Sequence, residues 1–441
     1  MTREPRRAQR RRWILEHGVL GFIVVAGLGA SLVRDRITVD RFGLASGFDG
    51  YLIALSVILF VVQVPSGALG AALIPKLTGP LRHATLHVVL TRSVAFSLVA
   101  ALAITMGLNT VVARWLMPGR DVEHVASMTM AWLAPVVPLV VASVAITAAL
   151  QVAERAIFAA YAPLVRHLSF VCWIALAGDS WRDLLIASLF GYVAESLFLL
   201  GGLGRTEFTV RVRWSATAGL SSILRESTWL TFNGLALGSM AVVDQAMAAP
   251  LGDGSVSSLV YGSRGPSALL AVATLAVGAT LLPRLVANAG ELDRFRRLVW
   301  GYATAVLLVG VLVAAMGFWF ASLIHVLLFG DSSFSTRVTL DAVDCQQAYW
   351  LQVPFYLLSG VASRAVIALG RSSVLVFVGV LMAVTNYAAN YIARELWGVV
   401  GLAYATAFVY LMAAIAMTAI AVAFSMRRSE PDADQPTGRA T

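Results

Sequence analysis

With 441 residues, 59% hydrophobic and only 13% charged, the chain is not a water-solvated globule, in which about a quarter of residues carry charge. Apolar runs of roughly 20 residues fit helices crossing a bilayer, where backbone groups must be satisfied within each segment; a barrel of short alternating strands would interrupt such runs. The net charge of +9 lies at the ends of these runs and not on a separate soluble face, which points to orientation and anionic headgroups and away from nucleic acid.

Residues 1–12 form a basic N-terminus containing Arg3, Arg6, Arg7, Arg10, Arg11 and Arg12. The apolar run that follows is too long for a signal peptide and lacks a small-residue cleavage site, so it reads as a retained span. Twelve spans are expected, over 13–33, 47–75, 86–113, 126–151, 156–178, 183–204, 219–249, 256–285, 298–328, 341–369, 372–393 and 398–425. With the N-terminus inside, Lys76 and Arg82, Arg155, Arg205, Arg211 and Arg213, Arg284, Arg294, Arg296 and Arg297, Arg371, and Arg427 and Arg428 all fall on the cytoplasmic side. The opposite connections near Asp253 and from Asp331 to Asp344 lean acidic. The charge bias therefore predicts a multi-pass protein of the bacterial inner membrane with both termini cytoplasmic. The tail 427–441, rich in Pro, Asp and Gly, is expected to be disordered. Cys172 and Cys345 lie in apolar helical stretches and read as packing residues.

An internal repeat constrains the architecture further. Ala68, Gly70, Ala71, Leu73, Pro75 and Leu77 recur as Ala276, Gly278, Ala279, Leu281, Pro283 and Leu285, about half the chain later. Asp35 and Gly43 are echoed at nearly the same offset by Asp244 and Gly252. Two six-helix lobes are expected, 13–204 and 219–426, joined by a cytoplasmic connection over 205–218. Six spans is an even number, so both lobes enter with the same polarity; that implies a pseudo-two-fold axis along the membrane normal, a central cavity and alternating access.

Charges within spans are expensive and mark candidate sites. Arg34 and Arg264 lie near the ends of spans one and eight, one in each lobe, and the arginine fork suits phosphate or carboxylate. Together with Arg364 they are the candidate diphosphate grip. Pairing of Arg34 with Asp35 or Asp49 competes with that role, and Asp49 is expected to orient Arg34. Arg92 and Arg166 either snorkel or pair with an acid; Glu195 either pairs with one of them or accepts a backbone donor. Asp244, Asn386 and Asn390, with Thr406, offer hard oxygen ligands for Na⁺, or else serve as interhelical hydrogen-bonding groups. His83 and His87 have helical spacing beside Arg82 and read as a solvated or headgroup-facing pair. Phosphate-cradling, metalloprotease and nucleophile-elbow motifs do not occur in the sequence.

The stretch SLVRDRITVDRFGLASGFDGYLIAL, with Arg34, Asp35, Phe42, Gly43 and Asp49, resembles the N-terminal signature of the MurJ/MviN lipid II flippases. GSVSSLVYGSRGPSALLAVATLAVGATLLPRL resembles the family's eighth-span signature and places its cavity arginine on Arg264. SRAVIALGRSS, with Arg364, and NYAANYIARELWGVVGLAYAT, with Asn386, Asn390, Gly401 and Thr406, are similar to later segments. The resemblance implies the multidrug/oligosaccharidyl-lipid/polysaccharide exporter superfamily and an all-α fold. It implies a flippase, not an enzyme, that turns a polyprenyl-diphosphate-linked saccharide from the inner to the outer leaflet for peptidoglycan or envelope polysaccharide synthesis, with cavity arginines on the diphosphate. It implies no cofactor beyond a candidate Na⁺ at Asp244, Asn386, Asn390 and Thr406. Leu28, Val61 and Val62 stand where the family usually offers further arginines, and Ser263 where it often has an acid. The two extra C-terminal spans of the lipid II flippases are not recognised. Expected partners are the lipid-linked saccharide, membrane lipids and envelope-synthesis proteins. The alternatives are a cation-coupled multidrug antiporter of the same superfamily and a non-transporting envelope-synthesis scaffold.

Overall fold

The computed structural model describes residues 6–43, 47–77, 82–116, 120–178, 180–208, 211–214, 220–288, 290–330, 335–371 and 373–427. The first five residues, parts of the 205–218 connection, Asp331 and the tail from Arg428 lie outside the described residues. Among those described there is no strand.

In chain order the helices are α1 (Arg6–Phe42), α2 (Phe48–Leu77), α3 (Arg82–Ala103), α4 (Asn109–Leu116), α5 (Arg120–Leu133), α6 (Val136–Val152), α7 (Ala156–Ala160) and α8 (Ala162–Ala177). They continue with α9 (Trp181–Leu203), α10 (Leu220–Ala248), α11 (Ser255–Ala287), α12 (Leu292–Trp319), α13 (Ala321–Phe329), α14 (Thr336–Trp350), α15 (Val353–Ala368) and α16 (Ser373–Arg427). Among the described residues, eight helices are long and apolar enough to cross a membrane, or nine when α5 and α6, bent by 46°, count as one span. The protein is thus an all-α membrane protein. The expected spans 372–393 and 398–425 run together in α16, which breaks at Trp397 and Gly398, where Gly398 takes φ 59°. Beyond the break the chain returns so closely that a side chain at Gly401 would strike the Ala393 carbonyl.

Two compact units are present: one of residues 1–261 and 323–342, the other of 262–322 and 343–441. In the first, α10 packs along α2 because Gly234 and Gly238 admit Val64 and Phe60 without an intervening Cβ, the small-residue contact that substitutes for hydrophobic driving force in lipid. Leu73, Leu77, Leu86, Ile146 and Leu150 form its core with Phe208, which closes the end where α9 stops. In the second unit Gly310 of α12 lets Pro354 of α15 approach, and Gly317 faces the Trp350 ring of α14. Cys345 is buried as expected, but Cys172 is exposed and faces outward.

The internal repeat carries the same packing in each half. Leu73 and Leu77 are fully buried in the first unit, and their counterparts Leu281 and Leu285 are fully buried in the second. The turn that launches α2 has Gly47 at φ 85° and the turn that launches α11 has Gly254 at φ 84°, a left-handed backbone that only glycine adopts without cost. A Cβ at Gly47 would strike Val125 of α5, and one at Gly254 would strike Val338 of α14.

Candidate functional site

Polar groups of the first unit converge where α1, α8 and α9 meet. Arg34 donates from Nε to Asp35 Oδ1 at 3.0 Å and pairs with the same oxygen through Nη2. Its Nη1 lies 3.4 Å from His167 Nδ1, and its guanidinium is 5.9 Å from the Phe170 ring centroid. One helical turn on, Thr38 donates to the Arg34 carbonyl at 2.8 Å. Arg41 donates to the Ile174 carbonyl at 2.8 Å and to that of Gly178, placing a cation at the C-terminal end of α8, where the helix dipole favours one. These bonds fasten α1 to α8 and fix the height of Arg34 along it.

Next to His167, Arg166 donates to Glu195 Oε2 at 3.1 Å and sits 4.9 Å over the Tyr192 ring. Glu195 thus takes the ion-pair alternative. A side chain at Gly191 would clash with the Arg166 carbonyl, so glycine there lets α8 and α9 close on each other. Two arginine–carboxylate pairs from three helices therefore occupy one apolar neighbourhood, satisfying charge where lone ions are costly. His167, Phe170 and Tyr192 were not singled out in the sequence; the only signal for His167 was its place beside Arg166.

Asp49 behaves differently from the expectation that it orients Arg34. Its carboxylate accepts from the backbone of Gly254 at 2.9 Å, Val256 at 3.2 Å and Ser257 at 2.9 Å, and from the Ser257 hydroxyl. It is the N-cap of α11 delivered from another helix, at an end whose amides lack intrahelical partners. The acid beside Arg34 is Asp35. Around Asp49, Phe48 stacks on Tyr261 at 6.1 Å, and Tyr51 reaches Ser188 at 3.3 Å.

In the second unit Arg364 of α15 donates to the carbonyls of Gly360 at 2.9 Å and Thr274 at 3.2 Å. Arg264 is half-buried on α11. Asn386 and Asn390 are fully buried, and Asn390 Nδ2 donates to Asn386 Oδ1 at 3.2 Å. Thr406 is buried and donates to the Leu402 carbonyl at 3.1 Å. Asp244 belongs to the first unit, buried on α10. The histidine pair departs from its expectation: His87 is buried, and the His83 ring lies 5.1 Å from that of Phe208. Among the described residues no group of three or more His, Cys, Asp and Glu side chains could hold a metal.

Residues 39–429 match the family model described as Lipid II flippase MurJ. The chain belongs to the MurJ lipid II flippase family. A solved lipid II flippase MurJ in an inward closed conformation is similar at 16% identity and TM-score 0.76, covering 94% of this chain and 89% of that one. An inward-facing multidrug resistance MATE family transporter of the MOP superfamily is similar at 17% identity and TM-score 0.70, covering 94% and 95%. A MOP superfamily transporter from Pyrococcus furiosus gives 14% identity and TM-score 0.65 over 92% and 95%. At these identities the likeness concerns the fold. No curated protein matches the chain by sequence. The family's substrate class is a lipid-linked saccharide.

Proposed function

We propose that the chain moves a polyprenyl-diphosphate-linked saccharide, lipid II or a close relative, from the inner to the outer leaflet of the bacterial inner membrane by alternating access, with both termini cytoplasmic. One observation carries the reading. The Arg34 side chain keeps 21% of its surface accessible while its partner Asp35 keeps 5%. Arg34 is therefore the more accessible member of the pair. Arginine is suited to exchanging one anion for another because its fork binds carboxylate and phosphate oxygens alike.

Arg264 and Arg364 are the proposed cationic contacts of the other unit. Asp35 serves as the resting partner of Arg34, and Asp49, by capping α11, is the proposed gating contact. Asn386, Asn390 and Thr406 of the second unit, and separately Asp244 of the first, are the proposed Na⁺ ligands; their burial and oxygen chemistry support this.

The test is a leaflet-resolved assay on proteoliposomes containing lipid II or a non-peptidoglycan polyprenyl-diphosphate glycan. Wild type should expose at least one of them to an impermeant probe, and the Arg34→Ala/Asp35→Asn variant should not. If neither lipid moves in wild type but a cationic drug is exchanged for Na⁺ or protons, the flippase reading gives way to antiport.

A further inference from the structure

Between α2, α3, α6 and α10 the first unit lines an open-sided cavity of about 620 Å³, within the size range of sites for small ligands. Its walls are largely aliphatic, with Val62 from α2 and Val137 from α6 among them, and its polar groups include Arg92, Ser66, Thr228 and Thr231. No role assigned above uses this space.

These polar groups lie at one depth. Ser66 stands near the end of α2, Arg92 shortly after the start of α3, and Thr228 and Thr231 shortly after the start of α10. At 1.5 Å per residue each is roughly 12–17 Å along its helix from the same end. Segment 211–214, whose residues are all exposed, crosses α3 at this level. Arg92 Nη2 donates to the Trp214 carbonyl at 2.8 Å, and the Arg213 amide donates to Thr91 Oγ1 at 3.0 Å. The segment reads Arg-Val-Arg-Trp and brings two further cationic residues and an exposed tryptophan to this level.

Two features of the cavity call for an occupant with an anionic head. Among the described residues no carboxylate pairs with Arg92, so its charge stands uncompensated at the rim. Ser66 is 2% exposed and its hydroxyl has no hydrogen-bond partner among the described residues. By contrast Ser97, which lines the same cavity, donates to the Val94 carbonyl at 2.7 Å. A buried hydroxyl left unpaired is unfavourable, and a phosphate oxygen would accept from it.

We propose that this cavity binds an anionic phospholipid of the bilayer, its phosphate at Arg92 among the serine and threonine hydroxyls and its acyl chain along the valine-lined wall. One guanidinium matches the single charge of a phosphodiester, whereas a diphosphate calls for a second cation; this favours a bilayer phospholipid over the transported lipid. The chain would lie beside the glycine-mediated seam of α2 and α10, so occupancy ties that packing to the anionic lipid content of the membrane.

The test is native mass spectrometry of the full-length protein with added phosphatidylglycerol or phosphatidylcholine. Wild type should retain phosphatidylglycerol in preference to phosphatidylcholine, and Arg92→Ala should weaken that retention by about tenfold, the size of one charge-assisted contact. Arg92→Lys should largely restore it. Thr231→Phe, which fills the space and leaves the charge in place, should abolish it, while Arg34→Ala/Asp35→Asn should leave it unchanged. Equal retention of the two lipids, or undiminished phosphatidylglycerol in both Arg92→Ala and Thr231→Phe, overturns the assignment. Displacement of phosphatidylglycerol by an equal amount of undecaprenyl diphosphate also overturns it, because the site would then be the substrate's. A wild type that binds phosphatidylglycerol but translocates no lipid-linked saccharide sinks the flippase reading and leaves this one standing.

Discussion

In the first unit Arg34 and Arg166 each meet a carboxylate, on Asp35 and Glu195, whereas in the second Arg364 spends its donors on the carbonyls of Gly360 and Thr274. A carboxylate cancels the charge it orients. A carbonyl fixes geometry and leaves the positive charge almost whole. The first arrangement stabilises the apo protein and requires partner exchange when an anion arrives; the second keeps a cation ready. On the proposed function, an anion would meet a cation that its carboxylate must release in the first unit and one held only by carbonyls in the second.

The largest effect should come from Arg34→Ala. It leaves Asp35, 4% exposed, without its guanidinium, and breaking a buried pair from one side costs about 3–5 kcal/mol. Thermal unfolding in detergent should show this loss, and Arg34→Ala/Asp35→Asn should recover most of it. An Arg34→Ala variant as stable as wild type would break the comparison at its first term. Arg364→Ala should be nearly neutral for folding, since its carbonyl partners retain their helical bonds. It should instead weaken binding of a polyprenyl diphosphate by about 1.5–3 kcal/mol, the range for hydrogen bonds to charged groups, measurable by titration of purified protein. A stability loss equal to that of Arg34→Ala would show that the two arginines are alike after all.

Asp49→Ala comes next, with a cost of about 1–2 kcal/mol for a lost helix cap. Amide exchange in the first turn of α11 should accelerate, while exchange around Arg34 stays unchanged. If exchange changes near Arg34 and not in α11, Asp49 acts on the arginine after all.

The all-helical membrane fold was legible because lipid leaves the backbone one economical choice and apolar runs record it directly. The repeat was legible too, and Leu73, Leu77, Leu281 and Leu285 show why: each half buries the same side chains. Bends were unevenly visible. The 46° turn between α5 and α6 leaves its apolar run unbroken, whereas the break at Trp397 and Gly398 falls at the boundary expected between the spans 372–393 and 398–425. At the site, the Arg34–Asp35 pair could be read from adjacent letters, and Arg166 and Glu195 stood out as charges in apolar sequence. His167 could not be placed beside Arg34, because that contact joins residues 133 apart and packing of α1 on α8 has no periodic signature. Asp49 was misjudged for the same reason: capping is normally local, yet here the cap and the Gly254 amide it accepts from are 205 positions apart.

The smallest effect on folding, and the sharpest test of the second unit, is expected at Asn390. Its amide donates to Asn386, one turn away on the same helix, at 3.2 Å with both side chains fully buried, and even polar contacts between membrane helices average only about 0.6 kcal/mol. Asn390→Ala should therefore melt close to wild type in the absence of Na⁺. The proposed ion site adds a second requirement, because an ion that binds only the folded state raises stability by about 2.7 kcal/mol at a hundred times its Kd. Wild type should melt progressively higher as Na⁺ replaces a large organic cation at constant ionic strength, and Asn390→Ala should lose that dependence while keeping its baseline. A wild type whose melting ignores Na⁺ reduces Asn386 and Asn390 to a structural polar contact within α16. The second unit would then contribute cations alone, and coupling would have to come from the carboxylates of the first.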